Sequence, residues 1–168
     1  MRILALALLL ATPAVADEPA YDPNILTACL DRTAGDTGNA RVCIGEASTA
    51  CMAKPGGDTT VGMGNCLAAE TKDWDALLNR EYTRLLKRAE EADADLVKLG
   101  SAADPAAPVL KQSQRDWIAF RDSSCRYEAV RFQGGTAGGP ASANCMMQLT
   151  GEQALRLRDM GRDNEGAQ

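Results

Sequence analysis

The chain has 168 residues, a net charge of −5, six cysteines and no histidine. That length suits one domain with a real core, and the acidic balance disfavours nucleic acid and anionic lipid as partners. The absence of histidine argues against most hydrolytic chemistry.

In chain order, Met1-Arg2 is followed by an apolar run over residues 3–11 and by Ala14-Val15-Ala16, a small-residue cleavage pattern. The run is too short to span a bilayer, so residues 1–16 read as a signal peptide cleaved after Ala16. The first cysteine is Cys29, which leaves none at the cleavage point. No membrane anchor is therefore expected after cleavage, and the mature chain is expected in the periplasm or outside the cell. Loss of Arg2 with the leader takes the net charge from −5 to −6, a balance that favours a basic protein partner through long-range steering.

Asp22-Pro23 reads as an N-cap followed by proline at the first helical position, opening a helix to about Arg32 that Gly35 ends. Asn39 is the expected cap of a second helix to about Ala53. Residues 54–64 (KPGGDTTVGMG) contain one proline and four glycines and read as a loop. From a cap at Asn65, a long third helix carries Leu67, Trp74, Leu77, Leu78, Tyr82 and Leu85 at three- and four-residue steps. Residues 100–108 (GSAADPAAP) interrupt it. A fourth helix bears Leu110, Trp117, Ile118, Arg121 and Cys125, a glycine-rich turn covers 133–140, and a fifth helix spans about Ala141 to Met160. No two-residue alternation is present. The expected fold is all-α: a small disulfide-stapled bundle of about five helices built from antiparallel hairpins, with one long central helix. Residues 17–64 form an N-terminal helical hairpin, 65–162 the main helical domain and 163–168 a frayed tail.

An even cysteine count behind a signal peptide implies a disulfide framework. Cys43 and Cys51, eight residues apart in one expected helix, are roughly 12 Å apart and beyond bridging distance. Cys29 and Cys43 lie at similar distances from the first turn. The same symmetry holds for Cys51 and Cys66 about residues 54–64, and for Cys125 and Cys145 about the glycine-rich turn. Sequential bridges Cys29–Cys43, Cys51–Cys66 and Cys125–Cys145 follow, each worth on the order of 3 kcal/mol through loop closure. Without histidine and without a CxxC pair, a zinc site is not expected, and no cofactor is implied.

The run from Cys66 through Trp74, Asp75, Leu78-Asn79 and Tyr82, then Gln114-Arg115-x-Trp117 with Phe120-Arg121-Asp122 and Cys125, and finally Cys145, resembles the lysozyme inhibitor LprI family over about residues 66 to 158. The resemblance implies a small, exported, all-helical domain that binds a lysozyme. The family's founding member is lipid-anchored, whereas this chain lacks a lipobox and adds the cysteine-bearing hairpin.

Five residues form the expected structural and binding cluster: Asp75, Asn79, Tyr82, Trp117 and Arg121. Trp117 and Arg121 are four apart, so the guanidinium can lie on the indole face. Because Arg121 falls in the apolar stripe it needs a carboxylate, and Asp75 is the expected partner. The cluster reads either as the polar centre of the helix–helix core or as a binding hot spot. Among acids, Glu70, Asp73 and Asp75 are candidates for glycosidase chemistry by composition alone, while Glu90, Glu91, Asp93 and Asp95 read as a solvated face. Ser123-Ser124 has no histidine to activate it. No catalytic residue is assigned, and the chain is expected not to be an enzyme. Three functions remain: a lysozyme or muramidase inhibitor, a periplasmic interaction or structural module with another protein partner, and an undetected hydrolase. Either glycine-rich loop, held at its base by a disulfide, can enter a partner's cleft at low ordering cost.

Overall fold

The computed structural model describes residues 19–34 and 39–166, with the backbone alone at 163–166. The signal peptide, the cleavage point after Ala16, the helix-ending Gly35 and the last two residues lie outside that range. Five α-helices and one 3-10 turn follow in order: α1 (Pro23–Arg32), the turn (Ala40–Cys43), α2 (Glu46–Met52), α3 (Thr60–Lys98), α4 (Ala106–Val130) and α5 (Gly138–Gly166). There is no strand among the described residues.

α1 starts as its sequence dictates. The Asp22 side chain accepts from the Asn24 amide and Pro23 occupies the first turn, where its missing N–H costs nothing. The single helix expected over residues 39–53 is instead broken at Gly45, which adopts φ +95. Asn39 makes no side-chain cap there. The break serves a buried carboxylate: Glu70 of α3 accepts from the amides of both Gly45 and Ser48 at 2.6 Å. A continuous helix would have committed the Ser48 amide to its own backbone.

α3 begins at Thr60, five residues before the expected cap at Asn65. The Thr59 hydroxyl accepts from the Gly62 amide at 2.9 Å and supplies the cap, a contribution of about 1 kcal/mol. Glycine within this first turn is a packing requirement, since a Cβ at position 62 would overlap the Gly56 carbonyl. Gly64 has open space at the same place. Gly62→Ala is therefore expected to destabilise by about 1–3 kcal/mol through overpacking against rigid backbone. Gly64→Ala is expected to stabilise by about 0.5–1 kcal/mol through helix propensity. Denaturant midpoints of the two variants, shifting in opposite directions, check this.

α3 extends over 39 residues, about 58 Å at the helical rise. Its far end is tied to α4 by the Asp93 carboxylate, which accepts from the amides of Ala106 and Ala107 at 2.7 and 2.9 Å, and by Lys111 on Glu90 at 2.8 Å. Asp93 thus caps α4 from the neighbouring helix, where Pro105 cannot. These two acids are cross-helix ties, contrary to their reading as a solvated face. α5 starts at Gly138 rather than near Ala141, and its backbone continues through 163–166, where a frayed tail was expected.

α5 runs parallel to α3, with Met147 beside Ser48 and Gly161 beside Arg88, and α4 packs on both. One apolar cluster joins the layers, from Leu26, Cys43 and Ala47 of the N-terminal segment to Trp74, Leu78, Met147 and Leu157. The bridges are Cys29–Cys43, Cys51–Cys66 and Cys125–Cys145, with Cα separations of 5.6, 5.7 and 5.3 Å. These are the pairs that hairpin symmetry predicts.

Candidate functional site

The expected five-residue cluster divides into separate groups. On α4 the Arg121 guanidinium lies 5.0 Å from the Trp117 ring centroid, as four-residue spacing allows. Its carboxylate partner is Asp122 at 2.9 Å, not Asp75. Asp75 instead accepts from the Asn79 amide one turn along α3, at 2.9 Å. Tyr82 is half-buried against the core. Each group is engaged along its own helix, Asp75 by Asn79 on α3 and Arg121 by Asp122 on α4, so neither is left for the other. The arginine, only 15% exposed along its side chain, is satisfied within its own helix.

Trp117 borders a groove of about 440 Å³ between α4 and α5, lined also by Arg41, Phe120, Leu149, Arg156 and Met160. Phe120 and Leu149 continue into a second groove of about 580 Å³ that reaches Tyr127 and Asn144. Both are open troughs along the helix pair.

A stronger polar centre lies within the core, where α3 meets α2. Glu70 is completely buried, and besides the Gly45 and Ser48 amides it accepts from the Trp74 indole N–H at 2.9 Å. The two amides lie at the N-terminus of α2, where the helix dipole favours an anion. The Ser48 hydroxyl donates to Met147 Sδ at 3.2 Å, so one carboxylate joins α2 and α3 while its neighbour reaches α5. Glu70 falls on the stripe Leu67, Glu70, Trp74, Leu78, at three- and four-residue steps. A charged residue inside an apolar stripe is the sequence signal for such an anchor.

The other acids considered for chemistry are also engaged. Asp73 accepts from the Tyr21 hydroxyl at 2.8 Å, and Asp95 accepts from Lys98 at 2.7 Å. The hydrogen bond from Lys111 to Glu90, with the charge of that carboxylate, raises the lysine above its ordinary value. Cys29, Cys43 and Glu46 are grouped closely enough to suggest a metal site. However, the two sulfurs are bonded to each other and Glu46 pairs with Arg32 at 2.9 Å, so the group offers no thiolate.

Partial burial, then the hydrogen bond to Asp73, pushes the Tyr21 phenol far above its ordinary value of 10.0. A folded-state value raised above the unfolded one favours the protonated, folded form. The contribution is therefore complete below pH 10 and declines as pH rises beyond it. Stability measured from pH 9 upward is expected to fall, and Tyr21→Phe is expected to flatten that fall. Ultraviolet titration should show Tyr21 ionising above the ordinary phenol value, a delay that Tyr21→Phe removes.

Comparison with protein families gives a match to the model described as lysozyme inhibitor LprI over residues 51–157. The chain belongs to the LprI family. Uncharacterized protein R02472 of Rhizobium meliloti (strain 1021) is 26% identical over 95 residues, covering 56% of this chain and 68% of the relative. The uncharacterized 17.7 kDa protein in the puhA 5′ region of Rhodobacter capsulatus is 25% identical over 160 residues, 94% of this chain and 96% of that one. No solved structure matches.

The LprI segment begins on Cys51 and so contains the Cys51–Cys66 and Cys125–Cys145 bridges and the groove from Phe120 to Tyr127, while the groove at Trp117 also draws on Arg41 and Met160 outside it. The Cys29–Cys43 bridge precedes it. The alignment with the R. capsulatus relative covers 94% of this chain and so extends beyond the LprI segment. Glu70 and Asp73, inside the LprI segment, tie it to the residues that precede it, through Gly45 and Ser48 and through Tyr21. No helix among the described residues is long and apolar enough to cross a membrane.

Proposed function

We propose that this LprI-family chain is exported as a signal-peptide-cleaved protein, in which residues 17–64 extend an LprI domain over 65–162, and that it binds and occludes a lysozyme-type muramidase. The family match over residues 51–157 carries this reading. Two physical features support it. The net charge of −5 assists encounter with a basic enzyme, and the connections 53–59 and 131–137 are each held at the base by a disulfide, which lowers the ordering cost of inserting a loop into a cleft. The second connection carries two successive left-handed residues, Gln133 at φ 51 and Gly134 at φ 83, which fix the shape of its tip.

Inhibition of this kind needs no cofactor and no turnover. Cell-wall lysis by a basic c-type lysozyme is expected to fall as the oxidised protein is titrated in. Salt is expected to weaken the effect, and reduction of the disulfides to abolish it. Unchanged lysis at several-fold molar excess and low salt, with no heat in calorimetry, would reject muramidase binding. The exposed apolar residues of α4 then favour the second reading, an interaction module for another protein.

A further inference from the structure

We propose that the turn between α4 and α5, residues 131–137, is the element that enters the muramidase cleft, with the Gln133 carboxamide taking the place of a substrate acetamido group; this rests on the muramidase reading above. Of the two connections held by disulfides, 53–59 is turned inward. Gly57 is buried, and a Cβ on it would meet the Cys51 and Met52 carbonyls at 2.7 Å. Lys54 donates to the Ala20 carbonyl at 2.5 Å, and the Thr59 hydroxyl caps α3. Those polar side chains are committed to the fold. The 131–137 turn differs, since all seven of its residues are exposed. Its shape is set by its own backbone: the Gln133 amide donates to the Val130 carbonyl at 3.0 Å, Gly135 to Phe132 at 2.8 Å and Gly138 to Gly135 at 3.1 Å. At its base Arg131 pairs with Glu128 at 2.9 Å and lies 6.0 Å from the Phe132 ring centroid. A turn closed in this way has little freedom left to lose on binding.

Among the described residues, Gln133 is the one non-glycine with a positive φ, at 51. Left-handed backbone favours glycine, so a long polar side chain is held there against the local preference. Such outliers concentrate at binding sites. Neither the Gln133 carboxamide nor the Thr136 hydroxyl has a hydrogen-bond partner among the described residues. Residues 132–137 carry no formal charge, so a cleft that closes over them strands no ion. The chemistry of the cleft fits this tip. A muramidase acts on N-acetylated sugars and must pair with a neutral acetamido group beside its catalytic carboxylates. A primary carboxamide offers the same carbonyl acceptor and N–H donor. Phe132, 40% exposed beside it, adds apolar contact.

The test measures inhibition of cell-wall lysis by a basic c-type lysozyme with the oxidised parent, Gln133→Gly and Gln133→Met. Gln133→Gly removes the carboxamide and relaxes the left-handed position, so its unfolding midpoint should equal or exceed the parent's. Gln133→Met keeps the reach of the side chain without its polar end. Each is expected to weaken inhibition by about tenfold or more. The trimer of N-acetylglucosamine, which occupies the cleft, is expected to compete with the parent for lysozyme in calorimetry. Inhibition retained in full by either variant, or parent binding unaffected by saturating trimer, overturns the assignment of this turn and leaves muramidase binding standing. No inhibition and no heat from the parent rejects both. If Gln133→Met does not fold, Gln133→Gly and the trimer decide.

Discussion

Glu70→Ala is expected to destabilise the folded chain by about 3–5 kcal/mol, because it strands two buried donors and a part-buried one at once. The Gly45 and Ser48 amides and the Trp74 indole N–H all terminate on this carboxylate. The Ser48 and Trp74 donors are buried with it. The loss is concentrated where the N-terminal segment meets the LprI segment, so hydrogen exchange should rise first in α2. Glu70→Gln is expected to cost roughly half as much. Oε1 can keep the Gly45 and Trp74 donors, while the new amide faces the Ser48 N–H donor to donor. Guanidinium unfolding with the disulfides intact measures both. Equal midpoints for Glu70→Ala and the parent would refute the anchor.

The parts of this molecule legible in its sequence are those decided locally. Asp22-Pro23 specifies the start of α1 through bonds to the next two residues. The disulfides followed because each pair flanks a short connection rich in glycine or other turn-forming residues, and distance from a turn is countable along the chain. Parts set by another element were less legible. The start of α3 was misplaced because the helix cost of Gly62 and Gly64 is visible in sequence, while the backbone approach that requires Gly62 is not. The break at Gly45 answers Glu70, 25 residues away. Asp93 resembled any solvated acid until the N-terminus of α4 arrived beside it. The Asp75–Arg121 expectation failed for a related reason. A helical wheel predicts which residues share a face, but not which neighbour captures a charge: Asn79 engages Asp75 and Asp122 engages Arg121, each on its own helix.

The two tryptophans give the second large expectation, and the two differ sharply. Trp74 has no exposed surface, whereas Trp117 is half-buried at the rim of the α4/α5 groove. Trp74→Ala should therefore cost about 3–5 kcal/mol, as truncation of a buried indole does. Trp117→Ala should cost clearly less. Arg121→Ala should lose no more than about 1 kcal/mol with its ion pair, since Asp122 is largely solvated. Because Trp74 donates to Glu70, their costs should not add: a double-mutant cycle should return a coupling of roughly 0.5–3 kcal/mol. Trp117 paired with Glu70, on different helices and sharing no hydrogen bond, should return a coupling near zero. The lysis assay separates stability from function in the same variants. Trp117→Ala retaining both its unfolding midpoint and its inhibition would make the indole a mere cover for the groove. Retention of the midpoint with loss of inhibition would make Trp117 and Arg121 part of the surface that meets the enzyme.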